Sequence, residues 1–152
     1  MWIYGHRGAP AEYPENTLRS FECALERGAH ALETDVRVSR DGKVVVFHDP
    51  DAARLVGTSA SVESSDWSDI ARWDVGYGFV ARDGSRPFVG QGMHPPALAE
   101  VLQRFPAVRF NIDIKSGTER AIDATIETVR TAGRRRKGPS HELCVSSTKP
   151  PH

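Results

Sequence analysis

Short apolar runs with a period of two alternate along this chain with segments of helical period, and that alternation restricts the fold more than any other feature. Trp2 to Gly5 reads as a strand ending at His6-Arg7-Gly8. A helix follows from about Thr17 to Arg27, with Asn16 as its N-cap and Gly28 as its terminator. Leu18, Phe21, Ala24 and Leu25 give that helix one apolar face. The period then switches. Ala29, Ala31, Glu33 and Asp35 share one face of a second strand, with Leu32, Val36 and Val38 marking a buried context. Asp41-Gly42 signals a tight turn before a further strand, Lys43 to Phe47, which leads into His48-Asp49. Leu98 to Phe105 reads as a helix and Val108 to Ile114 as a strand. Thr118 to Ala132 is a helix ended by Gly133, and Leu143 to Ser146 opens one more strand.

Such alternation specifies a parallel α/β fold of about four β/α steps. A closed eight-stranded barrel takes about 250 residues, so 152 residues form either a small open α/β sheet or part of a barrel. From Pro50 to about Pro96 the chain is rich in glycine, serine and aspartate and too long for an ordinary connection. A short helix from Trp67 to Trp73 is expected within it.

With 20 basic and 20 acidic residues the net charge is zero, which argues against a nucleic-acid or membrane-surface partner. An anionic small molecule would have to be met by a local group of residues. No apolar run approaches a signal-peptide core or the ~20 residues of a membrane span. Two cysteines do not make a disulfide framework, and Cys23 reads as a small buried hydrophobe. The expectation is a soluble cytoplasmic protein.

Glu33 and Asp35 stand two apart on a strand, so their side chains share a face with Cα atoms ~6.6 Å apart. That arrangement suits one hard divalent cation, and equally an exposed charge ladder. Asp113 and Lys115 repeat the spacing on a later strand. His6 and His48 each follow an apolar run, at the kind of strand end where parallel α/β folds gather catalytic groups. Two imidazoles across a phosphate could serve as acid and base. Arg7 offers a planar fork for phosphate oxygens. Each of these residues alone also fits a structural role.

Their order is more specific. His6-Arg7-Gly8, Pro14-Glu15-Asn16-Thr17, Glu33-Thr34-Asp35-Val36 and His48-Asp49 follow one another within the first third of the chain. Asp74-Val75-Gly76-Tyr77, Pro95-Pro96-Ala97-Leu98 with Glu100-Val101-Leu102, and Asn111 to Lys115 continue the series. The chain thereby resembles the glycerophosphodiester phosphodiesterase family over roughly residues 3 to 133. The resemblance implies a partial TIM (β/α)8 barrel, about its first four β/α units, over 1–147 with an insertion at about 50–96 and a polar tail at 148–152. It implies His6 and His48 as the acid/base pair and Glu33, Asp35 and Asp113 as ligands of Ca²⁺ or Mg²⁺. Arg7 and Lys115 would hold the phosphate of a small glycerophosphodiester, which is cleaved to glycerol 3-phosphate and an alcohol.

Three features depart from the family pattern. Asp113 stands where the family has a glutamate. Ala52 to Ser65 lacks the usual arginine- and threonine-rich turn. The sequence after Ser147 reads as polar tail, and the resemblance stops there. Part of a barrel exposes two sheet edges, which a second copy of the chain could cover. The basic run Arg134 to Lys137 complements a helix C-terminus. Three rival readings stand beside this one: phospholipase D-like cleavage of lysophospholipids, an inactive relative or binding fragment, and a transition-metal site using both histidines.

Overall fold

The computed structural model describes residues 1–134 and 144–147. Leu143, the basic run from Arg135 and the tail from Thr148 lie outside the described residues. The elements in chain order are β1 (Tyr4–His6), α1 (Leu18–Glu26), β2 (Ala31–Val38), β3 (Val44–Val46), α2 (Ala53–Val56) and α3 (Trp67–Ile70). A 3₁₀ turn at Val75–Gly78, α4 (Leu98–Arg104), β4 (Arg109–Ile114), α5 (Glu119–Arg134) and β5 (Cys144–Ser147) follow. Among the described residues, β1, β2, β4 and β5 form a parallel sheet in that order, as the alternation requires.

β3 is different. It runs antiparallel to β2, pairing Val36 with Val46 and Val38 with Val44, and is not a β/α step. The connection Ser39–Lys43 is far shorter than the dozen or so residues a parallel crossover needs, so the chain can only turn back as a hairpin. Since β4 takes the other edge of β2, β1 and β3 share one edge: β1 beside Ala31–Glu33, β3 beside Val36–Val38.

The two faces of the sheet have opposite chemistry. Leu32, Val36, Val38, Phe110, Ile112 and Ile114 pack with residues of α1, α4 and α5 into the main core. Phe21 on α1 is fully buried there, edge-on to Phe105 and Phe110 with ring centroids 6.3 and 6.2 Å away. The opposite face carries Glu33, Asp35 and Arg37 on β2 beside Asn111, Asp113 and Lys115 on β4, in register across the sheet. One face is dry because helices cover it, and the other can hold charge because they do not.

β3 is buried on both sides because it serves two cores. Val44 and Val46 join the main core, while Val45 and Phe47 join a second one with Ala52, Leu55, Val62, Ile70 and Val75. The long segment after Pro50, expected from sequence as an insertion, is therefore ordered around a small core of its own. Its helix at Trp67–Ile70 is shorter than the predicted 67–73, and α2 was not foreseen. Two helix ends also differ from expectation. Thr17 caps α1, its hydroxyl accepting from Ser20 N, and α5 passes through Gly133 to Arg134. No helix among the described residues is long and apolar enough to cross a membrane.

Candidate active site

The ladder between β1 and β2 ends with Arg7 N donating to Glu33 O at 2.9 Å, which brings His6 level with Glu33. The chain then folds into α1 through a tight reversal, with Arg7 in the left-handed region at φ 56°. Arg7 O accepts from Asn16 N at 2.9 Å and from Ser20 Oγ at 3.1 Å, while Ser20 Oγ accepts from Ala9 N at 2.8 Å.

Asn16 does not cap the helix. Also left-handed and buried, it accepts from Thr34 Oγ1 at 3.0 Å and donates through Nδ2 to Asp35 Oδ2 at 3.1 Å. It thereby ties the loop after β1 to the acidic strand. Glu15, which the sequence shows only as part of the Pro14 to Thr17 motif, is an ionic member of the site.

A chain of charges crosses the polar face. Arg7 Nη1 pairs with Glu15 at 3.0 Å, and Arg7 Nε lies 3.1 Å from Asp35 Oδ2 without the alignment of a hydrogen bond. Lys115 Nζ sits 2.7 Å from Asp113 Oδ2 and 3.9 Å from Asp35 Oδ1. On the hairpin side, Phe47 N donates to Asp35 O at 3.0 Å, so His48 emerges beside the same stretch of β2. His48 Nδ1 lies 2.7 Å from Asp49 Oδ1. Arg54 on α2 grips Asp49 with two hydrogen bonds of 2.8 and 3.0 Å and reaches Glu15 at 2.6 Å. Arg54 holds the Asp49 carboxylate down at about 2, against the partial burial that opposes ionisation, with His48 adding to the stabilisation.

The structure thus brings Arg7, Asp35, Lys115 and Asp113 into contact and sets His6, Glu33 and His48 beside them along β2. Among the described residues, no three His, Cys, Asp or Glu side chains are gathered tightly enough to hold a metal ion. Sequence reading missed Arg54, in the very stretch judged off pattern, together with Arg37 and Glu63. No local spacing links them to the histidine; only the hairpin and the fold of the insertion do.

The polar face of this partly built parallel sheet thus gathers acids, bases and histidines. The family model of the glycerophosphoryl diester phosphodiesterases matches residues 6–137, and the chain belongs to that family. It is 34% identical over 117 residues to the glycerophosphodiester phosphodiesterase of Caldanaerobacter subterraneus, covering 76% of this chain and 45% of that protein. The crystal structure of an Agrobacterium tumefaciens glycerophosphodiester phosphodiesterase superposes with a TM-score of 0.81 at 28% identity, over 98% of this chain and 58% of that one. An Oleispira antarctica phosphodiesterase, solved with its product sn-glycerol-3-phosphate, superposes with a TM-score of 0.77 at 25% identity, over 97% and 57%. The chain spans about half the length of these proteins, and its fold is a partial TIM barrel.

Proposed function

We propose that this site hydrolyses glycerophosphodiesters to glycerol 3-phosphate and an alcohol, with His6 and His48 as its acid/base pair. The observation that carries the reading is the arrival of both histidines at one edge of β2, against the strand that bears Glu33 and Asp35.

The carboxylates on this face are the donor type that Ca²⁺ or Mg²⁺ takes, and holding the cation would require them to draw together. Glu33, Asp35 and Asp113 offer hard carboxylate oxygens, and Asn111, beside Glu33 in register, has a buried Oδ1 with no hydrogen-bond partner among the described residues. Lys115, now paired with Asp113, would yield that carboxylate and turn to the phosphate. When bound, the cation would polarise the phosphodiester and offset charge on its oxygens.

The remaining work falls to the chain itself. One histidine takes the proton of the glycerol 2-hydroxyl as that oxygen attacks phosphorus, and the other protonates the departing alcohol. Water then opens the cyclic phosphate with the two roles exchanged. Arg7 and Lys115 would face the phosphoryl oxygens, where cationic donors stabilise the growing charge. An open cleft of about 270 Å³ beside Glu15 and Arg54, walled by Pro14, Leu55, Phe79 and Val80, offers a place for the alcohol.

The test is release of glycerol 3-phosphate from glycerophosphocholine with Mg²⁺ or Ca²⁺, with chelator, and in His6→Ala and His48→Ala. Each variant should lose about 10²–10⁴-fold in rate. Undiminished turnover in either variant refutes the histidine pair, and turnover indifferent to chelator refutes the cation.

A further inference from the structure

Arg37 lies two residues beyond Asp35 on the polar face of β2 and has no part in the chemistry above. Its guanidinium is divided between two neighbours, His48 and Glu63. Nε and Nη2 both donate to the carbonyl oxygen of His48, at 3.0 and 2.9 Å. Nη1 donates to Glu63 Oε1 at 2.8 Å, and the side chain is only 11% exposed. Glu63 belongs to the insertion. The same carboxylate oxygen accepts from Ser116 Oγ at 2.6 Å, just past the end of β4, and Ser116 Oγ accepts in turn from Val38 N at 3.2 Å.

The arrangement answers a local need. Strand pairing in the hairpin ends at Val46, with one further bond from Phe47 N to Asp35 O. His48 therefore leaves the sheet with its carbonyl beyond the ladder. A planar fork with two N–H groups on one acceptor fixes direction as well as distance, which a single donor does not. Glu63 then fixes the fork. The imidazole is restrained separately, through Asp49 and Arg54. His48 is thus held from two sides: at its main chain from β2, and at its ring from α2.

We propose that Arg37 and Glu63 are positioning residues for His48, so that the insertion, through Glu63, helps to aim one half of the acid/base pair. The inference rests on the reading of His48 as an acid/base group. A contact of Arg37 with substrate phosphate is the competing role, because an open cavity of about 310 Å³ lined by Arg37, Lys115, Ser116 and Arg120 adjoins it. The hydrogen bonds decide for positioning: Nε, Nη1 and Nη2 are each already committed within the protein.

The experiment compares the full chain with Arg37→Met, Arg37→Lys and Glu63→Ala. It reads glycerophosphocholine kinetics with Mg²⁺ and the ring ¹⁵N and carbonyl ¹³C resonances of histidine-labelled protein, assigned with His48→Ala. Misplacement of a reacting group by about 1 Å is worth about 10²-fold, so Arg37→Met should lower kcat by that order with KM nearly unchanged. Arg37→Lys, which can offer a single bond to the carbonyl, should recover part of the loss. Glu63→Ala should lower kcat less and shift the same resonances. Its carboxylate is 39% exposed, so this variant keeps the question open to measurement even if Arg37→Met does not fold. The His48 signals should move in both variants while those of His6, His30 and His94 stay in place.

A rise in KM with kcat unchanged would make Arg37 a substrate contact and overturn the proposal, as would unmoved His48 resonances in a folded variant. If the unaltered chain turns over no glycerophosphodiester, the hydrolase reading fails. The His48 resonances then still decide whether Arg37 and Glu63 hold that residue.

Discussion

Replacing Gly8 with alanine should be among the most damaging small changes in this chain, and the reason can be measured apart from the general penalty of a left-handed residue. Gly8 has φ +87°, and a Cβ there would overlap the Ser20 hydroxyl and come within 2.6 Å of the Ser20 carbonyl carbon. Gly28 has a similar φ of +94° but open space around it. Gly28→Ala should therefore show the conformational term alone, about 1–2 kcal/mol. At Gly8 the same term applies, with about 1–3 kcal/mol for forcing backbone apart. The Ser20 hydroxyl would also lose its bonds to Ala9 N and Arg7 O, each worth about 1 kcal/mol. Gly8→Ala should thus cost about 4–7 kcal/mol in all. Urea unfolding followed by tryptophan fluorescence, extrapolated linearly to water, measures both variants. If Gly8→Ala costs no more than Gly28→Ala, the close approach of the loop to α1 contributes nothing and the reasoning is wrong.

Asp49, held at about 2 chiefly by Arg54, contributes stability that is complete above the usual carboxylate range and is lost as pH falls from about 4 toward 2. Because Arg54 is half exposed, solvent screening reduces this to about 1 kcal/mol, and Asp49→Asn should flatten the acid limb of a stability–pH curve by that amount. Asn16→Ala should cost about 2–4 kcal/mol, since it strips hydrogen bonds from buried Thr34 and Asp35 and leaves a left-handed alanine. Thr17→Ala, which removes only the cap of α1, should cost about 1 kcal/mol. If denaturation midpoints show the reverse order, Asn16 is not the tie between the loop after β1 and the acidic strand.

Much of the site was legible because it is local. Glu33 and Asp35 share a face by the geometry of any strand, and apolar residues at Leu32, Val36 and Val38 told which side would be dry. The parallel order of β1, β2, β4 and β5 follows from helices long enough to cross between them. The motif series from His6 to His48 pointed to a family that the match over residues 6–137 bears out. The hairpin was within reach too, from the Asp41-Gly42 turn signal and the short connection to the strand expected at Lys43–Phe47. Val44–Phe47 is apolar throughout because its two faces meet two different cores.

Other features depend on parts of the chain that no short-range pattern connects. Asn16 occupies a position where sequence alone suggests a cap, yet its side chain is claimed by Thr34 and Asp35, and Thr17 takes the cap. Arg54 and Glu63 come from a glycine- and serine-rich stretch without periodicity, and become partners of Asp49 and Arg37 only after the insertion folds on its own small core. The sequence by itself determined which strand faces Glu33, Asp35, Asp113 and Lys115 occupy, because backbone period settles that. Only the tertiary structure decided how the two histidines are held, because the groups that hold His48 are charges from separate segments, and they meet only when burial of the two cores brings those segments together.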